Sequence, residues 1–208
     1  MENQKITIHV VDDDPDTRKY LRELISTINH KTKVYDSATT FLETYEDEGL
    51  GCLILDLRMP GINGLDLQNQ LASNNIDLPV IMISGYGDVP TAVKAMKAGV
   101  LDFIEKPFSG KFMLERIKNA VTQHGLSRNQ KEVNNDILKL IQTLTKREKQ
   151  VMEFVVRGVH NKDIATELGI SIKTVEVHRA NVMTKMQAKS VAELVRMRLL
   201  ISPGECPP

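Results

Sequence analysis

The first 120 residues alternate short apolar runs with segments of helical periodicity, and this alternation limits the fold more than any other feature. Five runs have the length and composition of buried strands: Ile6–Val11, Lys33–Tyr35, Cys52–Asp56, Val80–Ile83 and Phe103–Glu105. Each is followed by apolar residues three or four positions apart, the spacing of an amphipathic helix. Strands and helices that alternate in this way form a parallel sheet covered on both faces. The sequence therefore predicts a doubly wound, five-stranded α/β domain.

Polar side chains end four of these strands. Asp12 and Asp13 follow the first, Asp56 ends the third, Ser84 follows the fourth, and Lys106 follows the fifth. Parallel strands share a carboxyl edge, so we expect these groups to lie together. Crowded carboxylates need a cation, and their hard oxygen atoms suit Mg²⁺, while a lysine and a hydroxyl can bind phosphoryl oxygens. The combination predicts an aspartyl-phosphate site.

Charge divides the 208-residue chain into two halves. Residues 1–120 carry 13 Lys and Arg against 18 Asp and Glu, whereas residues 121–208 carry 14 against 9. A basic second half is a candidate for binding nucleic acid. The first residues lack the layout of a signal peptide and no apolar run reaches 18 residues, so we expect a soluble, cytoplasmic protein without membrane contact. Cys52 and Cys206 are expected to be free thiols.

The second half has its own organisation. We expect the first domain to cover residues 1–122 and a polar linker to cover 123–142. This linker lacks proline and has many helix formers, so we expect it to be largely helical, with a flexible tether as the alternative. Residues 143–201 should form a small all-α domain, followed by a tail at 202–208.

Helix start and stop signals subdivide this all-α domain. Thr145 and Glu148 have capping-box spacing, Asn161 is a candidate cap for a short helix, Gly169 marks a turn, and Ser171 should cap a helix to about Met186. Two helices joined by a short glycine-containing turn fit a helix-turn-helix, but also a helical bundle without a DNA role.

Four segments closely resemble the receiver domains of two-component response regulators: VVDDD, LILDLRMPGINGL, VIMISGYGDVPTAVKAMKAG and DFIEKPF. The resemblance covers residues 5 to about 122. It implies that Asp56 is the phosphoacceptor, that Asp13 binds Mg²⁺ directly and Asp12 through water, and that the main-chain carbonyl of Arg58 completes the protein ligands.

The same resemblance assigns the remaining switch residues. Lys106 and Ser84 would contact the phosphoryl group, and Phe103 would turn inward when Ser84 moves towards it. A cis peptide bond is expected at Lys106–Pro107, since X–Pro bonds tolerate the cis form at low cost. By its position after the first strand, Asp14 is expected to cap the first helix rather than to bind the metal.

Residues 143–200 closely resemble the LuxR-type DNA-binding domain, and the domain order resembles FixJ-type members of the FixJ/NarL family. By this resemblance base edges would meet Glu176, Val177 and Ala180, and phosphates would meet Lys173, Thr174, His178, Arg179 and Lys185. On the residues alone, Glu176 could instead be a solvated acid, and Ile172, Val175 and Val182 should form much of the apolar side. In the family the last helix, about Ser190 to Leu200, pairs two DNA-binding domains.

The function implied is a transcription factor, by family resemblance an activator, that a sensor histidine kinase phosphorylates on Asp56. Its partners would be an operator in double-stranded DNA, a second copy of the chain on phosphorylation, and RNA polymerase. Phosphorylation could act by dimerisation or by release of the DNA-binding domain.

Two other function classes can be compared with this one. A phosphohydrolase of the haloacid-dehalogenase type has a second acid two positions after the first, where this chain has Arg58, and no G-x-x-x-x-G-K-[ST] loop for an ATP-using kinase is present. A constitutive DNA-binding protein whose receiver serves only for docking is the third class.

Overall fold

The computed structural model describes residues 6–85 and 89–201. The strands are β1 (Thr7–Val11), β2 (Lys31–Tyr35), β3 (Gly51–Asp56), β4 (Val80–Ser84) and β5 (Asp102–Glu105). The helices are α1 (Pro15–Ser26), α2 (Ala38–Thr44), α3 (Gly64–Ser73), α4 (Val89–Lys97), α5 (Gly110–Gln142), α6 (Lys146–Val156), α7 (Asn161–Leu168), α8 (Ile172–Lys185) and α9 (Val191–Ile201). Residues 86–88 of the third receiver segment, Cys206 and the expected tail lie outside the described residues.

The chain forms two compact units, Met1–Arg128 and Asn129–Pro208, and the boundary between them falls within helix α5. In the first unit all strand pairs are parallel and the strand order is β2-β1-β3-β4-β5. This confirms the predicted doubly wound five-stranded sheet.

Alternate residues of the central strands face opposite sides of the sheet and build two cores. One core joins Leu53, Leu55 and Met82 to residues of α2, α3 and α4. The other joins Ile54 and Ile83 to residues of α1 and α5. Burial on both faces explains why the strands have almost continuous apolar sequences.

The strand register brings the predicted polar residues to one edge. Val11 of β1 pairs with Leu55 of β3, and Asp56 pairs with Ile83 of β4. Ser84 in turn pairs with Glu105 of β5. The residues that follow or end these strands therefore lie side by side at the carboxyl edge of the sheet.

Several local signals are confirmed in the structure. The Asp14 side chain accepts hydrogen bonds from the Asp16 and Thr17 amides at the start of α1. Thr145 and Glu148 form a complete capping box at the start of α6. These contacts satisfy amides that have no partner within their own helices.

The second unit also shows where local reasoning was wrong. Asn161 does not cap α7, because it is the first helical residue and His160, which makes no side-chain cap, occupies the cap position. Gly169 ends α7 in the left-handed conformation, with φ of 63°, and Ser171 caps α8 as expected. Ile172 is 46% exposed, whereas Val175 and Val182 are buried.

A single apolar core holds the helices of the second unit together. Its buried residues include Val151 and Val155 of α6, Ile164 of α7, Val182 of α8 and Leu194 of α9. Of the helices at residues 6–85 and 89–201, none is long and apolar enough to cross a membrane.

Candidate functional site

Lys106 joins two buried carboxylates at the carboxyl edge of the sheet. Its Nζ lies 2.7 Å from Asp56 Oδ1 and 2.8 Å from Asp12 Oδ2. The Asp12 and Asp56 side chains are only 1% and 8% exposed, and the Lys106 side chain is 24% exposed. Charge-assisted hydrogen bonds in such a partly dry place are stronger than the same contacts in water.

Backbone groups occupy the other oxygen atoms of both carboxylates. The Arg58 amide donates to Asp56 Oδ2 at 2.7 Å, and the Asp14 amide donates to Asp12 Oδ1 at 2.9 Å. Arg18 also donates to the main-chain carbonyl of Asp12 at 2.6 Å. Both carboxylates are therefore held in fixed orientations.

The turn after β3 is tightly packed against Asp56. The Gly64 amide donates to the Leu57 carbonyl at 3.0 Å, and a Cβ atom at Gly64 would collide with the carbonyl oxygen of Asp56. Only glycine allows this close approach of α3 to the end of β3.

Opposing effects set the protonation of the cluster. Burial raises the pKa of Asp12, and the hydrogen bond from Lys106 opposes this rise without cancelling it. Burial alone would lower the pKa of Lys106, but Asp12 and Asp56 outweigh it and the pKa is raised. Lys106 is therefore charged at neutral pH, while Asp12 carries the electrostatic cost of a buried anion.

The donor set can be compared with what Mg²⁺ requires. Within residues 6–85 and 89–201 there is no group of three or more His, Cys, Asp or Glu side chains that could hold a metal ion. Mg²⁺ usually keeps several waters and binds through only one or two carboxylates. Asp56 and the exposed Asp13 after β1 can supply two such carboxylates, with the buried Asp12 close to Asp56 across Lys106, although these residues do not form an all-protein cage.

The other predicted receiver residues surround this pair. Ser84 is 1% exposed, and its carbonyl accepts a hydrogen bond from the Lys106 amide at 2.7 Å. Phe103 is partly buried and packs against the core on the α2–α4 face. Asp13 and the Arg58 side chain are exposed. The expected cis bond at Lys106–Pro107 is present.

Helix α8 presents most of the predicted DNA-contacting side chains on its outer face. Lys173, Glu176, Val177 and Ala180 are exposed, with Val177 at 54%. A valine with more than half of its surface exposed is not part of the apolar core of this unit. The remaining predicted residues are partly buried: Thr174, His178, Arg179 and Lys185.

Two of these basic side chains already have partners inside the second unit. Arg179 donates to Asn161 Oδ1 at 2.9 Å, and Lys185 Nζ lies 2.7 Å from Glu148 Oε2. Glu148 is 3% exposed, and the Lys185 hydrogen bond, followed by that from the Thr145 amide, lowers its pKa to about 2. The Lys185 ammonium therefore helps to join α8 to α6.

Sequence reasoning missed the partners that orient these groups. Arg18 holds the Asp12 backbone, and Asn161 holds Arg179 across 18 positions of sequence. The only local signal for either was the polar character of the residue. The Nδ1 atom of His178 is buried and has no hydrogen-bond partner in the described part of the chain.

Two known protein families match separate segments of the chain. Residues 8–118 match the family described as "Response regulator receiver domain". Residues 142–198 match the family described as "Bacterial regulatory proteins, luxR family". A receiver domain implies a partner histidine kinase, and a LuxR-type helix-turn-helix implies binding to DNA.

Individual relatives share both parts. The transcriptional regulatory protein FixJ of Rhizobium meliloti (strain 1021) is 47% identical over 93% of this chain and 95% of its own length. The response regulator protein TmoT of Ectopseudomonas mendocina is 45% identical over 95% of this chain and 90% of its own length.

Solved structures agree with this comparison. The response regulator StyR has a TM-score of 0.80 and 41% identity, covering 93% of this chain and 98% of that chain. Full-length FixJ from B. japonicum has a TM-score of 0.58 and 39% identity, covering 96% of this chain and 98% of that chain. Together with the paired carboxylates and the outer face of α8, these matches show that the chain belongs to the FixJ-type response regulators, transcriptional regulators that join a receiver domain to a LuxR-type DNA-binding domain.

Proposed function

We propose that Asp56 accepts a phosphoryl group from a partner histidine kinase and that this event controls binding to operator DNA. The observation that carries the proposal is the Lys106 ammonium, 2.7 Å from Asp56 and 2.8 Å from Asp12. A cation held between two buried carboxylates is positioned to meet the charge that phosphorylation adds.

The chemistry is an in-line transfer. An Asp56 carboxylate oxygen attacks phosphorus, an O–P bond forms, and the P–N bond to the kinase histidine breaks as the imidazole leaves. Lys106 then exchanges its contact with Asp56 for one with a phosphoryl oxygen. The acyl phosphate is hydrolysed later by water, so the protein acts at most on its own Asp56 and has no separate substrate.

Receiver domains generally bind Mg²⁺ at their phosphorylation site. Here Asp13, Asp56 and the Arg58 carbonyl would hold the ion, with Asp12 acting through water. When bound, the ion neutralises charge on the phosphoryl oxygens during transfer. The exposed position of Asp13 leaves it free to approach an ion from the solvent side.

Phosphorylation would be read by Ser84 and Phe103. The modification adds roughly −1.5 to −2 charges at the sheet edge, which draws the Ser84 hydroxyl towards a phosphoryl oxygen. The space that Ser84 vacates can be filled by the Phe103 ring, which is only partly buried and already packs against the neighbouring core. This rearrangement changes the face formed by α4, β5 and α5, through which two copies of the chain would dimerise.

The output would be recognition of an operator by a dimer. Glu176, Val177 and Ala180 are placed to meet base edges in the major groove, where a valine can contact a thymine methyl group. The exposure of all three side chains supports this role. Phosphates would be bound by Lys173, Thr174, His178, Arg179 and Lys185.

This proposal also fixes the functional segments and the setting. Residues 1–122 would be the receiver, 123–142 the linker, 143–201 the DNA-binding domain and 202–208 a tail. A regulator that binds operator DNA acts in the bacterial cytoplasm, where RNA polymerase is the expected further partner.

The test is intact mass after incubation with Mg²⁺ and a small acyl-phosphate donor, with light scattering to follow oligomeric state. We expect one phosphoryl adduct and a shift towards dimer in the wild type and in Asp66→Asn, an exposed-acid control. Asp56→Asn should show neither. An adduct on Asp56→Asn would refute the assignment of the phosphoacceptor, and no adduct with any donor would favour the receiver that serves only for docking.

A further inference from the structure

Helix α5 continues well beyond its last buried contact in the receiver. His124 and Ile137 are buried, and the twelve residues between them include none that is buried. Most helical stability in proteins comes from packing of an apolar face, which this stretch lacks. Gly125, at its start, is one of the poorest helix formers. The stretch therefore needs support from another contact.

The loop before β3 provides such a contact. Arg128 Nη1 lies 2.9 Å from both carboxylate oxygens of Asp47 and 3.4 Å from the Gly49 carbonyl oxygen. His124 Nδ1 lies 3.1 Å from the Gly51 amide nitrogen and 2.9 Å from the Gly51 carbonyl oxygen. We call these five residues the latch.

The geometry of the latch brackets the weak point of the helix. His124 and Arg128 are four positions apart, so they share one face of α5, with Gly125 between them. His124 contacts Gly51, the first residue of β3, and Arg128 contacts Asp47, earlier in the loop. Unwinding the helix at Gly125 would move Arg128 away from Asp47.

The loop side of the latch is itself firmly anchored. Asp47 accepts a hydrogen bond from the Gly49 amide at 3.0 Å, and the Leu50 carbonyl accepts one from the Thr7 amide at 2.9 Å. Gly51 is the first residue of β3, and a Cβ atom there would collide with the Thr7 carbonyl oxygen. The latch therefore fastens α5 to the central strands rather than to a loose segment.

We propose that the latch is a conformational device that sets how often α5 unwinds between Gly125 and Asp136. When it is closed, the helix is continuous through Gln142. When Arg128 leaves Asp47, the stretch from Gly125 to Asp136 unwinds into a flexible tether several times more often. This step goes beyond the proposed function, because it names the element that sets the state of the segment before the DNA-binding unit.

Amide hydrogen exchange of the full chain tests this inference. Breaking the latch with Arg128→Met, or with Asp47→Asn, should speed exchange across residues 125–136 by about three- to fivefold, the range expected for a partly exposed ion pair. Lys118→Met, which removes an exposed positive charge from the same helix, should leave this stretch unchanged. Exchange within β3 should be the same in all four proteins.

A second variant separates helix control from simple loss of a contact. Gly125→Ala raises helix propensity, and its Cβ would lie 3.8 Å from Leu50, an ordinary contact. Added to Arg128→Met, it should restore slow exchange at residues 125–136 and slow cleavage at Glu132 by a glutamate-specific protease. Unchanged exchange in Arg128→Met, equal acceleration in β3, or failure of Gly125→Ala to restore protection would each overturn the proposal.

Discussion

Replacing Lys106 with methionine removes the only cation shown between Asp12 and Asp56 among the described contacts. Each of the two carboxylate oxygens lies within 2.8 Å of Nζ, so they are at most about 5.6 Å apart. At an effective dielectric constant of about 20, two unit charges at that separation repel by about 3 kcal/mol. We expect Lys106→Met to destabilise the receiver unit by about this amount near pH 7.5 in metal-free buffer.

The same reasoning fixes the pH dependence. Without the ammonium, the pKa of Asp12, which burial already raises, rises further in the folded state, because protonation relieves its repulsion with Asp56. The destabilisation should be complete at pH 7.5 and should shrink as the pH falls through that raised pKa. Added Mg²⁺ should also reduce it, since a bound cation replaces the lost charge.

Tyrosine fluorescence during urea unfolding is a suitable assay. The chain has no tryptophan, and its four tyrosines all precede residue 87, so the signal reports the receiver unit. Lys111→Met removes an exposed charge and is the matched control. Wild-type stability in Lys106→Met, or a loss that is equal at pH 4.5 and pH 7.5, would refute this account of the cluster.

Three further predictions concern stability. Burial holds the pKa of His9 at about 4, well below its ordinary 6.5, so its contribution is complete above pH 6.5 and is lost as the pH falls towards 4. Between pH 6.5 and pH 4, the free energy of unfolding of His9→Gln should therefore fall by up to about 3 kcal/mol less than that of the wild type. An equal fall in both proteins, measured by tyrosine fluorescence during urea unfolding, would contradict this. Glu148→Ala removes the capping box and the ion pair with Lys185, so it should destabilise the DNA-binding unit by about 2 kcal/mol. Glu148→Gln can still accept a hydrogen bond from the Thr145 amide and should destabilise it less. Amide hydrogen exchange of α6 measures both effects. Ser171→Ala removes the cap of α8 and should cost about 1 kcal/mol in the same assay, with Ser171→Thr near wild type.

Most of the fold of the receiver unit could be predicted from the periodicity of apolar residues and from the residues that end the strands. The alternation of apolar runs with amphipathic segments predicted the parallel sheet, because strands buried on both faces leave a continuous apolar signal. The capping residues Asp14, Thr145 and Ser171 were also predictable, since a cap contacts amides only two or three positions away. Such local contacts are written directly in the sequence.

Contacts between distant residues could not be predicted in this way. Lys106 and Asp12 are separated by 94 positions, and Lys185 and Glu148 by 37. Asn161, which was expected to cap α7, is instead its first helical residue, and its side chain accepts a hydrogen bond from Arg179, 18 positions later. No local pattern shows which of two competing hydrogen bonds a side chain will make.

Helices α8 and α5 also show what a local sequence pattern cannot predict. Ile172 was expected on the apolar side of α8 but is 46% exposed, since a residue in the first turn of a helix can point beyond the core it adjoins. The composition of residues 123–142 favoured a helix without excluding a tether. The contact between Arg128 and Asp47, which bears on that choice, joins residues that are 81 positions apart in the sequence.

The most direct test of the central claim is the affinity of the full chain for DNA before and after phosphorylation. A duplex would first be selected from a random pool with protein treated with an acyl-phosphate donor and Mg²⁺, and binding would then be measured at fixed salt for the wild type and Asp56→Asn. We predict that the donor tightens wild-type binding by about tenfold or more and leaves Asp56→Asn unchanged. Equal affinity with and without the donor in the wild type, or the same tightening in Asp56→Asn, would contradict control of DNA binding through Asp56.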